Sequence, residues 1–316
     1  MNKISRVLVL VGVGLLVTGG VILGVGLYNA STIKTEEKTY QDLGSFNNFK
    51  INLKTSEFEI KPSEDASTKV VVNETKYDAH TVEVVDNTLT VVGKNNRKWY
   101  EHLFTYAFFQ KIKVTVYIPE GNYGEFDFHS STGSMHVPAN YTFNNIDINV
   151  STGSVKSNAN AINDIKAVSS TGSVVMDGVS AKNIDLRAST GSVSLKNANA
   201  SEDITLKTST GGIKLENGHC QNLTIGCSTG GVRVDNSIAS DHVEIKTSTG
   251  GVKMVDSDAD SLFIKTSSGS VNISLLTSKI FAAKSSSGHI NVPVSTSGGL
   301  CQIETSSGSI TATIKA

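Results

Sequence analysis

The sequence predicts an all-β fold: a β-solenoid, similar to a parallel β-helix, of about ten coils of 19–20 residues each, preceded by one transmembrane helix. Three observations predict it. Apolar and polar residues alternate in short runs, which is typical of β-strands. A long uncharged segment lies near the N-terminus. A glycine recurs at intervals of 19 or 20 residues, which indicates a repeat array, at Gly133, Gly153, Gly172, Gly191, Gly211, Gly230, Gly250, Gly269, Gly288 and Gly308.

The N-terminal region predicts a membrane anchor. Residues 1–6 are assigned to a cytoplasmic tail and residues 7–28, which carry no charged side chain, to a transmembrane helix. As a helix this segment would be about 33 Å long, enough to cross the hydrocarbon core. A cleaved signal peptide is the alternative, but its apolar region is usually about 7–15 residues long. Lys3 and Arg6 precede the helix, so we expect a single-pass cell-membrane protein with a cytoplasmic N-terminus and an extracellular C-terminal domain.

Between the helix and the repeats, the sequence predicts a linker and a cap. Residues 29–43 are polar and mixed in charge, which favours a linker, and residues 44–125 are predicted to form the N-terminal β cap region of the solenoid. A solenoid needs such a cap to hide the edge of its first coil. Thr55-Ser56-Glu57 is interpreted as a degenerate copy of the repeat turn, and Asp86-Asn87 as a hairpin turn. Strands are expected at Phe49–Leu53, Phe58–Ile60, Lys69–Val72, Val82–Val92 and Ile112–Ile118.

An aromatic stretch interrupts this cap. Three explanations are open: an insertion packed on the solenoid, a contact with the membrane interface or a protein partner, and stacking on a glycan. The candidate contact residues are Trp99, Tyr100, Phe104, Tyr106, Phe108 and Phe109.

Residues 126–316 are predicted to form the regular S-T-G repeat solenoid. Counting from each repeat glycine, positions −7, −5 and +2 are mostly apolar and the positions between them mostly polar, so each coil has two short strands around a turn. A single open sheet of so many strands would leave a large apolar face uncovered. Coils that stack about 4.8 Å apart enclose a core instead. The glycine is expected to take a positive φ or to let coils approach closely. The serine at position −2, present in all ten copies, is expected to bond turn amides.

Position −4 carries a column of cations that stacking would turn into an outward stripe. One interpretation is a solvated face with local ion pairs, for example Asp185 with Arg187 and Glu244 with Lys246. The other is a docking site for anionic polymers such as teichoic acids or acidic glycans, weakened by salt. The stripe comprises Arg187, Lys207, Lys246, Lys265 and Lys284, with Gly226 interrupting; a second line at position +3 comprises Lys214, Arg233 and Lys253.

Several chemistries find no support in the sequence. The 28 Lys and Arg residues balance 29 Asp and Glu residues, so we expect no nucleic-acid partner. Ten equivalent serines do not make a nucleophile, which needs one activated copy. Histidines are scattered over different columns, and Cys220, Cys227 and Cys301 have no metal-site spacing. We therefore predict no catalytic, cofactor-binding or metal-binding residue.

The strand Val114–Pro119, followed by S-T-G-S-V repeats behind one N-terminal span, resembles the bacterial putative-adhesin family that includes LiaG-like membrane-anchored envelope proteins. The resemblance implies a β-solenoid at a bacterial surface and supplies no catalytic residues.

Together these observations predict a non-enzymatic, membrane-anchored extracytoplasmic surface protein. It would be adhesin-like, or a binding or scaffold module of the cell envelope that assists the stress response. The alternative is a β-helix enzyme acting on cell-wall or host polysaccharide. The expected partners are the cell membrane, through the N-terminal helix, and an anionic cell-wall polymer, a glycan or an envelope protein.

Overall fold

The computed structural model describes residues 3–31, 34–65, 67–96 and 112–315. These residues contain one α-helix, α1 (Lys3–Ser31), and 30 β-strands. Within this described part of the chain, no helix is both long enough and apolar enough to cross a membrane.

The predicted β-solenoid is confirmed, and its first face is a ladder of parallel strands that run into the repeat turns. Neighbouring strands pair in register, so that Ile146, for example, lies between Phe126 and Ile165. The stack follows chain order through the regular repeats until its last two members. In spatial order the strands are β6 (Thr88–Asn95), β2 (Asn48–Leu53), β9 (Glu125–Thr132), β12 (Asn145–Thr152), β15 (Asp164–Thr171), β18 (Asn183–Thr190), β20 (Asp203–Thr210), the second half of β21 (Ile213–Thr229), β23 (Ile238–Thr249), β25 (Ser261–Ser268), β29 (Gly299–Ser307) and β27 (Lys279–Ser287).

The second face is built by the strands that leave the turns, and it is also parallel from β7 onward. Its strands are β7 (Lys113–Ile118), β3 (Glu57–Pro62), β10 (Met135–Val137), β13 (Val155–Ser157), β16 (Val174–Asp177), β19 (Val193–Ala200), the first half of β21, β22 (Val232–Asp235), β24 (Val252–Val255), β26 (Val271–Leu275), β30 (Ile310–Ile314) and β28 (Ile290–Asn291). Short segments add a partial third side: β8 (Gly121–Asn122), β11 (Tyr141–Phe143), β14 (Asn160–Ala161) and β17 (Ser180–Ala181).

Antiparallel strands close the N-terminal end of the stack. β5 (Asp78–Val85) pairs with β6 through a hairpin whose turn residues, Asp86 and Asn87, have φ values of 47° and 61°. β4 (Lys69–Glu74) covers β7, and β1 (Glu36–Tyr40) covers β4. β1 lies inside the segment predicted as a linker, because its backbone pairs along the free edge of β4 although its side chains are polar.

The core follows the columns that the alternation predicts. Position −5 is represented by Ile245, position −7 by Leu262 and position +2 by Val252, and each of these side chains is buried. The coils nearest the cap carry aromatic residues in the core columns, including Phe49, whose ring centroid lies 5.8 Å from that of Phe126.

The repeat glycines combine the two properties expected of the turn, a positive φ and a close approach between coils. Nine of the ten have φ between 136° and 158°, Gly269 being the exception. A methyl group added to Gly230 would lie 2.1 Å from the carbonyl oxygen of Gly211 in the preceding coil. The same contact joins Gly133 to Ser56, which shows that the turn Thr55-Ser56-Glu57 stacks directly against the first of the ten repeat turns.

The last two coils are stacked in reversed order, which the sequence analysis did not predict. β25 pairs with β29 rather than with β27, so the C-terminal coil lies between residues 261–275 and residues 279–291. The chain reaches this slot through Gly298 and Gly299, where an added methyl group would lie 1.9 Å from Ser278 O and 1.7 Å from Asp260 O. The crossover that skips the slot is held by a buried ion pair of 2.7 Å between Lys279 Nζ and Asp258 Oδ1.

Candidate functional site

A groove runs along the first face and crosses the strands β15 to β25. Its volume is about 610 Å³, and its lining is dominated by outward side chains at positions −4 and −2. These positions point outward because −7, −5 and −3 on the same strands point into the core and side chains alternate along a strand. The outward lining side chains are Val168, Arg187, Lys207, Lys246 and Lys265 at −4, and Ser189, Ser209, Ser228, Ser248 and Ser267 at −2.

The structure brings four of the five predicted stripe residues together and separates the fifth. Arg187 is in register with Lys207, and Lys246 with Lys265. Glu304 lies next in the stack, because β29 occupies the slot expected for β27. Lys284 lies beyond Glu304 and does not line the groove. The five-residue stripe is therefore a four-cation groove that ends at a carboxylate.

Carboxylates pair with three of these four cations. Arg187 donates two hydrogen bonds to Asp185, at 2.8 and 2.7 Å, and this contact raises the pKa of its guanidinium. Lys246 Nζ lies 2.5 Å from Glu244 Oε1. Lys265 Nζ lies 3.1 Å from an oxygen of Glu304.

Glu304 is held in its charged form by its neighbours. Hydrogen bonds from Gln302 and Lys265 lower the pKa of its carboxyl group. These pairs are exposed, so each stabilises the fold only weakly and can exchange its partner for a ligand.

Lys207 is the groove cation for which the described residues supply no ion pair. The −6 positions beside it hold Thr205 and Thr224, whereas the −6 positions beside Arg187 and Lys246 hold Asp185 and Glu244. Gly226 follows Lys207 in the column, and a Cβ there would lie 3.4 Å from Lys207 Cγ, so the lysine stem runs alongside the space left by the glycine. The centre of the groove is thus an exposed, unneutralised ammonium group beside a gap.

The serines that line the groove do not make the expected hydrogen bonds to turn amides. The −2 serines are exposed, and the turn hydroxyl groups belong instead to position −3, which points inward. Thr208 Oγ1 donates to Gly191 O at 2.9 Å, and Thr266 Oγ1 to Gly250 O at 3.1 Å. The prediction that the −2 serines bond turn amides was therefore wrong, because a side chain pointing outward from the strand faces away from the turn backbone.

The second cation line lies on the other strand of each coil, outside the groove. Lys214 Nζ pairs with Glu216 at 2.7 Å and Arg233 Nε with Asp235 at 2.5 Å, while Lys253 is exposed on β24. These residues offer a comparison set of equal charge.

The aromatic candidates lie outside the described residues. Trp99, Tyr100, Phe104, Tyr106, Phe108 and Phe109 all fall within residues 97–111.

Sequence reasoning missed a buried polar cluster in the cap. Ser56 Oγ lies 2.8 Å from His80 Nε2, and His80 Nδ1 lies 3.5 Å from Glu74 Oε2. Glu74 also accepts a 2.9 Å hydrogen bond from the His80 amide and pairs with Lys38 of β1. Ser56, Glu74 and His80 are 1%, 3% and 6% exposed. The order serine, histidine, carboxylate is that of a hydrolase triad, but the burial leaves no room for a substrate beside Ser56.

The protonation of this cluster follows from burial and pairing. Burial lowers the pKa of His80, against the attraction of Glu74. Burial alone would raise the pKa of Glu74, but hydrogen bonds from Lys38 and the His80 amide hold it below its ordinary value. The cluster therefore ties β1 to the cap with a neutral histidine. A search for alternating polar residues near Thr55-Ser56-Glu57 would not have found it, because the partners lie on three other strands.

Among the residues that the structure describes, no group of three or more His, Cys, Asp or Glu side chains could hold a metal ion. Burial raises the pKa of Cys220 and Cys301 to about 12, which keeps both thiols protonated.

Comparisons with known proteins identify a family and similar solved structures. The sequence model of the Toastrack DUF4097 family matches residues 46–235 and again residues 197–316, in agreement with the resemblance drawn from the repeats. No curated protein matches this chain.

Similar structures include a putative adhesin from Bacteroides fragilis, with 15% identity, a TM-score of 0.44, and coverage of 88% of this chain and 97% of the other. A putative adhesin from Parabacteroides distasonis has 16% identity and a TM-score of 0.46, covering 88% and 96%. A putative lipid binding protein from the same organism has 13% identity and a TM-score of 0.47, covering 76% and 96%.

Proposed function

We propose that this chain, which belongs to the Toastrack DUF4097 family, is a non-enzymatic, adhesin-like surface protein of the bacterial envelope that binds anionic polymer in the groove of its first face. The observation that carries the proposal is the alignment of four cations with five serine hydroxyl groups along one groove. A cation and a neighbouring hydroxyl group are the donors that a phosphate or carboxylate oxygen needs.

Lys207 is the expected first contact of the ligand. No carboxylate of the described residues pairs with its ammonium group, and Ser209 and Ser228 line the groove beside it. Arg187 and Lys246 would follow on either side, each exchanging an exposed ion pair for an anionic group of the ligand.

The shape of the groove favours a chain over a small molecule. The −4 and −2 columns repeat at each strand of the first face, about 4.8 Å apart, and they run along the stack axis. An extended polymer with regularly spaced anionic groups can contact several coils at once. Each exposed charge contact is weak, so the affinity would come from their number and would fall with ionic strength.

The proposal includes anchoring by the N-terminal segment. Its support is the uncharged run of residues 7–28 preceded by Lys3 and Arg6. In this arrangement the cap adjoins the membrane and the groove faces the wall. Added protease should degrade the solenoid of cells stripped of their wall and spare a small membrane-bound fragment; protection of the solenoid would contradict this orientation.

The test of the binding function is a salt series with the full chain and purified anionic wall polymer. A variant with Lys207, Lys246 and Lys265 changed to Gln should lose most of its binding, and wild-type binding should weaken steadily as salt is raised. The matched control changes Lys214, Arg233 and Lys253 to Gln, which removes the same charge outside the groove. Equal losses of binding in the two variants would show that binding depends only on net charge and would contradict a site in the groove. Absence of binding at low salt would also overturn the proposal.

A further inference from the structure

Among the residues that the structure describes, none covers the C-terminal end of the solenoid. Phe281 and Ala283 of β27 are partly exposed, whereas Cys301 and Ile303, their partners on β29, are fully buried. Ile290 is 38% exposed, although the equivalent residue of the next coil is buried. In the described part of the chain, no strand pairs with the outer edge of β27. The end coil therefore presents both unpaired backbone groups and the open end of the core.

The apolar character of this end extends onto the outer surface. At position −8 the earlier repeats carry polar residues, and hydrogen bonds such as that of Asn222 with Asp203 link them. In the last two coils this position holds Ile280 and Leu300, which are in register and 43% and 51% exposed. Outside α1, the exposed large apolar residues of the described chain are Val85, Ile162, Leu276, Ile280, Ile290, Val294 and Leu300, and five of these seven belong to this end. Such clustering marks an interaction surface.

The two ends of the stack differ in how their edges are protected. At the N-terminal end the edge strand of the second face, β1, carries Glu36, Glu37 and Lys38, and the edge strand of the first face, β5, carries the exposed Glu83. Charges on an edge strand discourage pairing. At the C-terminal end, residues 276–298 contain no acidic residue; the buried Lys279 is paired with Asp258, and Lys284 is the exposed charge of the edge strand β27. Head-to-tail stacking would bring the open end against this charged edge. Contact between two open ends avoids it.

We propose that the C-terminal end pairs with the same end of a second copy of this chain. The two β27 strands would run antiparallel about a two-fold axis at Ala283, as an isologous interface requires. In that register Phe281 faces Ser285 of the second copy, and Lys284 faces Ala282, so no like charges are directly opposed. The pairing continues the first face and its core across the axis and satisfies the free edge of β27.

A lipid surface satisfies this end less well than a second copy. Acyl chains could cover Ile280 and Leu300, but they offer no hydrogen bonds to the unpaired backbone of β27. A strand from an identical chain supplies both the apolar cover and the backbone partners.

The consequence for function rests on the proposed anchoring. β1 follows α1 in the chain and lies at one end of the stack, and β27 lies at the other, roughly 50 Å away at the usual strand spacing. A two-fold axis at β27 then places the two N-terminal helices at opposite ends of the dimer. The contact would join copies from two facing membranes, which makes it a homophilic adhesion.

Charge complementation tests the register. Full-length chain is reconstituted in two populations of vesicles with the solenoid outside, and vesicle clustering is followed by energy transfer between lipid dyes. Wild-type vesicles should cluster, and Ala283→Lys or Ala283→Glu alone should reduce clustering to the level of protein-free vesicles. Mixing the Lys vesicles with the Glu vesicles should restore it. Ile162→Lys, which alters an isolated exposed apolar residue far from the end, should cluster like wild type.

A second readout separates this inference from the proposed function. Mass measurement of the full chain in detergent reports dimers whether or not the chain anchors, and binding of wall polymer depends only on the groove. Monomers in detergent, clustering unaffected by Ala283→Lys, or binding to protein-free vesicles would each overturn the end-to-end contact. Both Ala283 variants must keep the circular dichroism spectrum of the wild-type chain. If either variant unfolds, Ile280→Lys serves as a second substitution that should disrupt the end-to-end contact.

Discussion

Substitution of a single turn glycine is the sharpest perturbation of the coil stack. Gly230 has a φ of 139°, a conformation that L side chains rarely adopt, and it lies against the turn of the preceding coil. A Cβ at this position would be 2.1 Å from Gly211 O and 2.6 Å from Gly211 C. Both atoms belong to backbone that is itself bonded into the stack, so neither can move aside independently.

The expected cost has two parts. Holding alanine in this region of φ costs about 1–3 kcal/mol, and forcing a methyl group into a packed position costs about 1–3 kcal/mol more. Gly230→Ala should therefore destabilise the local coils by roughly 2–6 kcal/mol. Its neighbour Gly231 supplies a matched control, because its nearest contact is Gly251 O at 3.8 Å and its φ is not positive. Alanine there should cost nothing and can stabilise by about 0.4–1 kcal/mol through the unfolded chain.

Hydrogen exchange followed by mass spectrometry is the suitable assay, because repeat arrays can open locally instead of unfolding as one unit. Amides of the turn, such as Gly230 N–H bonded to Thr249 O at 2.9 Å, should exchange at least about 30-fold faster in Gly230→Ala. Peptides near the cap should be unchanged. If Gly230→Ala and Gly231→Ala exchange alike, the assignment of the repeat glycine to a close backbone contact is wrong.

Three further predictions follow from buried groups. Ile245→Asp should lower the melting temperature sharply because it buries an unpaired charge, whereas Lys246→Asp on the outward face should change it little; equal shifts would contradict the assignment of faces. Because burial lowers the pKa of His80, the neutral histidine stabilises the cap fully above about pH 6.5 and this contribution is lost as the pH falls toward the lowered value. Protection factors of the β1 amides, which correct for the intrinsic pH dependence of exchange, should therefore fall on acidification in wild type and change less in His80→Asn. Lys279→Met should destabilise the C-terminal coils by about 3–5 kcal/mol by leaving Asp258 unpaired, and an unchanged denaturation midpoint would rule out that role for the ion pair.

Much of the fold was accessible from the sequence because the same physical constraint recurs in every coil. The alternation around each glycine predicts the buried columns, and Ile245 and Val252 lie in them as expected. The degenerate turn at Ser56 could also be placed, since its flanking strands share the alternation.

The order of the last coils could not be predicted, because stacking energy depends on columns that are nearly identical from coil to coil. Residues 279–291 and residues 299–314 offer similar strands to residues 261–275, so alternation cannot distinguish the two orders. The features that accompany the observed order are local: Gly298 and Gly299 at a close backbone crossing, and the paired Asp258 and Lys279.

The candidate site was predicted in outline and corrected in detail. The position of the groove follows from the −4 column, but Glu304 separates Lys284 from it as a consequence of the reversed coil order. The exposed serines could not be identified as groove residues from spacing alone, because in most coils the adjacent positions −3 and −2 both carry hydroxyl groups and differ in direction. The position of the Lys207 side chain alongside Gly226 could not be predicted, because it depends on the side-chain conformation.

The most direct test of the central claim is to identify what occupies the groove in intact cells. A photo-activated cross-linking residue at Ser228, in the groove beside Lys207, is compared with one at Asn272, which is exposed on β26 of the second face. Ser228 should yield adducts with a phosphate- or carboxylate-bearing polymer that Asn272 does not, and Lys207→Gln should diminish them. Adducts at Ser228 that contain only protein, or the same adducts at both positions, would contradict polymer binding in the groove.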